Sequence, residues 1–296
     1  MTPQKQNIGT SVALGFFDGL HIGHRKVLGS ALKNAELYSL RPTVLLFDVH
    51  PREFITGQKV QRLLSDKDEE QMLKEAGFAI HRISFAKVRE LSPEAFFNEI
   101  LLKELGARSL NCGFNYSFGK NGEGNSDVLL SLCKKNSLNC TVIPEVKLNG
   151  ETVSSSAVKE SLLNGDVKKA SAMLGRNYSI DGEVIHGDAR GRTLGFPTAN
   201  QAINNDLVCP KYGVYESRII SGGKSYACIT NIGIRPTYKL SSPIAETNII
   251  NFGGDLYGKK IKTELIRYIR GEKLFSSAKE LEEQLKKDIS QVKADV

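Results

Sequence analysis

Two histidines, His21 and His24, stand three apart in the string Gly15-Phe16-Phe17-Asp18-Gly19-Leu20-His21-Ile22-Gly23-His24. Two such rings can converge at a helix N-terminus, which offers free N–H groups and the positive end of the helix dipole to a phosphate. Imidazoles there would stabilise the charge of a phosphoryl group in transfer, and Gly23 would let the backbone approach a nucleotide closely. The string, with Gly15, Phe16 and Asp18 at its head, is therefore a candidate nucleotide-phosphate site. The plainer alternative is a turn carrying two surface histidines. Zinc is another, but no His-Glu-x-x-His and no cysteine pair completes such a site. Neither a P-loop nor a Gly-x-Gly-x-x-Gly string occurs.

A second set spans His186 to Asn200. Gly187, Gly191 and Gly195 can let a loop wrap phosphates with its N–H groups, and Arg190 and Arg192 add positive charge. Pro197 fixes the turn that presents Thr198 and Asn200. A hydroxyl and an amide oxygen two apart in an extended stretch suit Mg2+ beside nucleotide phosphates. The alternative is a glycine-rich hairpin loop that binds nothing.

The elements that must position these residues change character along the chain. Apolar runs at Ser11–Phe16, Thr43–Phe47, Ile80–Phe85, Ser109–Phe114 and Cys140–Ile143 read as strands. Helical patterns lie between them: from Gly23 to Tyr38 with Val27, Leu28, Ala31, Leu32 and Ala35 on one face, from Ser65/Asp66 to Ala76, from Ser92-Pro93, and from Asp127 to Ser137. This alternation predicts an α/β, Rossmann-like domain over residues 1–170, a parallel sheet with helices on both faces. Beyond it, short segments at Ser179–His186, Gly213–Ile220, Tyr226–Ile232, Glu246–Phe252 and Ile261–Tyr268 alternate with Gly, Pro, Asn and Ser clusters. They predict an antiparallel β-barrel domain over residues 171–296. A last helix from Ser277 to Val292 would bury Ala278, Leu281, Leu285, Ile289 and Val292, with Ser277 and Glu280 as a capping box. The boundary is expected within Asn164–Arg176.

The 296 residues carry a net charge of +7, spread as +3 over residues 1–170 and +4 over 171–296. No basic block or tail marks a nucleic-acid footprint, and tryptophan is absent. The charge favours small phosphorylated partners over nucleic acid. No apolar run approaches the length of a membrane helix, and no secretory leader is recognisable. Five scattered cysteines read as reduced thiols of a cytoplasmic protein.

The first string is similar to that of the His-x-Gly-His nucleotidyltransferases. Leu46-Phe47-Asp48-Val49-His50-Pro51-Arg52-Glu53-Phe54, Cys112 to Lys120 and Val153-Ser154-Ser155-Ser156-Ala157-Val158-Lys159 follow in order. Together they resemble the adenylyltransferase half of the prokaryotic bifunctional riboflavin kinase/FMN adenylyltransferase family. The resemblance implies a reaction of FMN with ATP that gives FAD and pyrophosphate, with magnesium. It implies that His21 and His24 hold ATP phosphates, with His50, Asn115 and Ser154, Ser155, Ser156 and Lys159 around the nucleotide and flavin. Three positions depart from the family pattern: Phe17 where Asn is usual, Tyr116-Ser117 where Phe-Arg is frequent, and Lys159 where Arg ends the motif. These bear on the adenylyltransferase rate. The alternative they raise is a riboflavin kinase whose adenylyltransferase is weak or lost.

Gly195-Phe196-Pro197-Thr198-Ala199-Asn200 resembles the riboflavin kinase motif of the same family. Tyr212–Tyr215, Asn231–Tyr238, Glu246-Thr247-Asn248, Phe252–Gly258 and Arg270–Phe275 follow in the family's order. The resemblance implies a small antiparallel barrel that converts riboflavin and ATP to FMN and ADP. Glu246 would take the proton of the 5′-hydroxyl, Thr198 and Asn200 would hold magnesium and ATP, and Arg270 and Glu272 would lie near the flavin. The family usually has His where Asn248 stands, two along from Glu246 and on its face of the strand.

Overall fold

The computed structural model describes residues 8–185, 198–221, 224–234, 242–252 and 254–292. The chain divides into two compact units, Met1–Ser155 and Ser156–Val296. In the first, β1 (Thr10–Leu14), β2 (Arg41–Phe47), β3 (Ala79–Ile83), β4 (Ala107–Gly113) and, after the small hairpin β5 (Ser117–Phe118) and β6 (Gly124–Asn125), β7 (Asn139–Ile143) build the main sheet. It is parallel throughout, in the order β3-β2-β1-β4-β7. A second hairpin, β8 (Lys147–Leu148) and β9 (Glu151–Thr152), closes the unit.

Both faces of this sheet are buried, as the continuous apolar runs require. Val12, Leu14, Leu45 and Leu110 join one core with Phe97, Leu101 and Leu129. Ala13, Val44 and Leu46 join the other with Val27, Leu28 and Ala31. Helix α1 (Ile22–Leu37) supplies the second face, and a buried polar network fixes it there. Asn111 Oδ1 accepts from Ser30 Oγ and Asn34 Nδ2, both at 2.8 Å, while Ser11 Oγ donates to Ala31 O at 2.8 Å. The remaining helices are α2 (Pro51–Thr56), α3 (Asp66–Glu75), α4 (Phe85–Val88), α5 (Pro93–Ala95), which runs into a π-helical stretch at Phe96–Glu104, and α6 (Ser126–Lys135).

The third strand ends at Ile83 rather than at Phe85. Ser84 turns the chain into α4, and the Asp48 carboxylate accepts from the Phe85 N–H at 2.9 Å. The Phe85 ring leaves the strand to meet Phe47 and Phe54 edge-on.

Helix α7 (Ser155–Leu163) straddles the unit boundary, and α8 (Val167–Leu174) packs on strands of the second unit. That unit holds β10 (Tyr178–Glu183), β11 (Thr198–Ala202), β12 (Gly213–Ser221), β13 (Lys224–Gly233), β14 (Ile244–Ile249), β15 (Lys260–Arg270) and α9 (Ala278–Ser290). Its strands form one antiparallel sheet, β10-β15-β12-β13-β14-β11, whose edge strands β10 and β11 meet through an isolated bridge between Ile185 and Asn200. Buried Val184, Ala199, Ile219, Cys228 and Ile261 fill the inside. No helix among the described residues is long and apolar enough to cross a membrane.

Leu281, Leu285 and Ile289 of α9 and Val292 just past it are only half-buried, short of the expected apolar seam. Among the side chains of that helix that are described, the fully buried one is Asp288, paired with Arg270 of β15. Ser277 Oγ accepts from Glu280 N, but the Glu280 carboxylate reaches back to the Ser276 N–H, one residue before the cap.

Candidate functional sites

In the first unit the site residues gather at the C-terminal ends of the parallel strands. β1 sits between β2 and β4, so the chain leaves it at the point where the strand order reverses, the usual place for a ligand crevice in such sheets. After Leu14 the backbone turns through Gly19 and Leu20, both at positive φ, and His21 caps α1. His21 Nδ1 accepts from the His24 N–H at 3.2 Å, and the two rings stack with centroids 3.6 Å apart. Since Nδ1 is an acceptor, the neutral His21 ring carries its proton on Nε2 and can donate outward. A Cβ at Gly23 would lie 3.1 Å from the His21 ring, so glycine permits this close approach.

Burial keeps both rings neutral. The His21 pKa is lowered to about 4, by desolvation first and against the pull of Asp18. That of His24 falls well below the ordinary value through desolvation and the neighbouring His21. His24 Nδ1 is buried with no hydrogen-bond partner. Phe17, one of the departures from the family pattern, is a core residue set edge-on to the His24 ring.

The other predicted residues divide between lining and support. Phe16 lies against His50 with ring centroids 4.4 Å apart, joining the ends of β1 and β2. His50 caps α2 by accepting from Arg52 N at 3.1 Å. Asp18 is buried; its Oδ1 accepts from Leu63 N at 2.7 Å and its carbonyl from Ser155 Oγ at 2.8 Å, so it ties three segments together beneath the histidines. Asn115 is exposed just past the end of β4. Ser154 precedes α7, and Ser156 and Lys159 lie on its first turns. Arg62 and Glu69 were not anticipated. Arg62 pairs with Glu69 at 3.0 Å and with Asp66, and Asp18 acts on it electrostatically. Asp66 and Glu69, three apart, share one side of the first turn of α3, whereas Arg62 lies before the cap Ser65, so no helical spacing in the sequence marks it.

In the second unit the register places the chemistry. Asn200 of β11 lies directly opposite Glu246 of β14, and Glu246 directly opposite Asn231 of β13. Directly opposed residues share a face with Cβ atoms about 5 Å apart. Thr198 likewise faces Asn248, which therefore stands on the Glu246 face as expected. Asn200 Oδ1 is buried without a hydrogen-bond partner, an oxygen available to a hard cation. Asn231 is the residue that reading by motif missed as a site member; only the strand register reveals it.

Beside Thr198 lies a cleft lined by Val184, Ile249, Phe252 and Leu256 on its apolar side and by Thr198 and Asp255 on its polar side. Gly191, Gly195 and Pro197, with the rest of the loop from 186 to 197, lie outside the described residues. Arg270 is bound to Asp288 by three contacts of 2.7–3.1 Å and donates to Gly271 O. Glu272 lies over Gly233, where a Cβ would collide with its carboxylate.

The comparisons with known proteins agree with this division. Residues 3–157 match the family model of FAD synthetase, and residues 174–296 that of riboflavin kinase. The chain is 36% identical over 284 residues to the bifunctional riboflavin kinase/FMN adenylyltransferase of Bacillus subtilis (strain 168), covering 94% of this chain and 89% of that protein. It is 32% identical over 298 residues to the protein of the same name from Listeria monocytogenes, covering 99% and 94%. A crystal structure described as a macrolide-efflux protein from Streptococcus pneumoniae superposes with a TM-score of 0.84 at 28% identity, covering 96% of this chain and 93% of that one. That likeness bears on the fold.

Proposed function

Because the chain belongs to the bifunctional riboflavin kinase/FMN adenylyltransferase family, we propose that its two reactions are carried by the two residue sets above. The chain is a transferase that phosphorylates riboflavin to FMN with ATP. It then adenylylates FMN to FAD with a second ATP, releasing pyrophosphate.

In the kinase reaction Glu246 accepts the proton of the riboflavin 5′-hydroxyl as that oxygen attacks the γ-phosphorus and ADP leaves. The observation that carries this reading is the row Asn200–Glu246–Asn231 across three strands. It sets the carboxylate beside an amide oxygen that is buried and unpartnered. Thr198 Oγ1 and Asn200 Oδ1 are the oxygens that would hold Mg2+, which when bound neutralises charge on the β- and γ-phosphates. Gly191, Gly195 and Pro197 are assigned to the ATP phosphates, the cleft beside Thr198 takes the nucleotide base, and Arg270 and Glu272 stand on the flavin side.

In the adenylyltransferase reaction an FMN phosphate oxygen attacks the α-phosphorus of ATP, and the bond to the β-phosphate breaks. No protein nucleophile is needed. His21 and His24 donate N–H groups to the phosphates at the α1 N-terminus, and the chain's work is alignment and charge stabilisation. Gly15, Phe16, Gly23 and His50 line the nucleotide, with Asp18 beneath. Ser154, Ser155, Ser156 and Lys159 meet the phosphates, and Asn115 meets the flavin. The chemical halves are residues 1–170 and 171–296. The partners are small molecules, without nucleic acid or membrane, and the five free thiols suit the cytoplasm.

The test is Glu246→Gln with flavin chromatography. From riboflavin and Mg-ATP the parent chain should show FMN rising and then falling into FAD. The variant should lose about 10²–10⁴-fold in FMN formation yet still convert supplied FMN to FAD. Unchanged riboflavin phosphorylation would sink the assignment of the base.

A further inference from the structure

Strand β11 carries both proposed metal-holding residues. β14 pairs along its length. On its other edge, toward β10, the backbone bond made among the described residues is Ile185 N to Asn200 O at 2.8 Å, with Ile185 two residues past the end of β10. That bond does not by itself fix register or height.

Gln201 crosses that seam. Its Nε2 donates toward Gly182 O and Ile180 O on β10, both at 3.3 Å, and toward Ile261 O on β15 at 3.0 Å. Its Oε1 accepts from Thr263 Oγ1 of β15 at 2.6 Å. Gln201 and Thr263 are both 0% exposed, so water cannot replace either group. Along a strand successive side chains point to opposite faces. The Gln201 amide therefore works from the inside of the sheet, one residue from Asn200 and three from Thr198, which face the other way.

We propose that Gln201 is a positioning residue of the kinase. Its side-chain bonds tie β11 to β10 and β15 across that edge, and so hold the aim of Thr198 and Asn200. This rests on the reading of those two residues as the Mg2+ ligands. Gln201 touches no substrate; it acts through the strand.

The experiment uses the full chain with Gln201→Leu, Thr263→Val and, as reference, Asn200→Ala. Three quantities are read: the Mg2+ midpoint of riboflavin phosphorylation, the thermal shift produced by Mg-ADP without turnover, and FAD formation from supplied FMN. Gln201→Leu should raise the Mg2+ midpoint about tenfold and shrink the Mg-ADP shift, because small displacements of positioned groups carry large penalties. Thr263→Val should do the same to a smaller degree, and FAD formation should be unchanged in both. A Gln201→Leu chain that melts earlier but keeps the parent midpoint and Mg-ADP shift overturns the proposal, since Gln201 would then be a structural stitch alone. If that variant does not fold, an unchanged midpoint in Thr263→Val overturns it equally. An unchanged midpoint in Asn200→Ala overturns the metal-ligand reading itself, and this inference with it.

Discussion

Burial holds His21 and His24 neutral. A ring at the α1 N-terminus also faces the positive end of the helix, which disfavours a charged imidazolium there. The pH dependence follows from the lowered pKa values. In the unfolded chain a histidine titrates near 6.5, whereas His21 in the fold does so at about 4. Below pH 6.5 the unfolded chain takes up protons that the folded chain refuses, so stability falls as pH falls, until pH 4 is passed. For His21 alone the loss at pH 5 is about 2 kcal/mol relative to pH 7, and His24 adds to it in the same direction. Thermal melting from pH 7 to 5 should therefore show a steep decline, reduced in His21→Asn. A variant whose decline matches the parent's would show that the acid sensitivity lies elsewhere.

The elements show how much a single sequence carries. Apolar runs placed all five strands of the parallel sheet, because the inner strands β1, β2 and β4 are buried on both faces and the edge strands β3 and β7 are still partly covered. The histidine string, Ser154 to Ser156 at the start of α7 and Glu246 were open to proposal from the sequence because their chemistry is concentrated in short strings. Asn231 was not, since its place beside Glu246 is a matter of register between strands distant in sequence. The last helix was legible in extent and misread in its packing. Its apolar stripe is half-buried, and among the described side chains the one driven fully inside is Asp288. A charged side chain is assigned to solvent by any hydropathy pattern; only the partner, Arg270 at the end of β15, makes its burial tolerable. Gln284 also donates to Asp288, at 2.9 Å. Asp288→Ala would leave the Arg270 guanidinium without its anion and should cost about 3–5 kcal/mol, read as a drop in the denaturant midpoint of the second unit. The same change frees a group proposed to stand on the flavin side, so the riboflavin KM should rise as well. A KM at the parent value would confine Arg270 to holding α9.

On the scale of the whole molecule, the product of one reaction is the substrate of the other. The positive charge is shared almost evenly between the halves, +3 over residues 1–170 and +4 over 171–296, as two separate sites for anionic nucleotides would have it. Each unit also has its own apolar core. If the two proposed sites work independently they need only share FMN, and FMN released to solvent serves any chain that meets it. Two disabled full-length chains should then complement one another. Glu246→Gln alone should form FMN, and hence FAD, from riboflavin about 10²–10⁴-fold more slowly than the parent, and a chain with His21→Ala and His24→Ala should stop at FMN. Their mixture should form FAD after a lag in which FMN accumulates. Labelled riboflavin with excess unlabelled FMN makes the test quantitative. Free exchange predicts that label in FAD is diluted to the ratio in solution, for the mixture and the parent chain alike. Full label in the parent's FAD, with dilution in the mixture, would mean that FMN passes between the sites of one molecule without entering solvent.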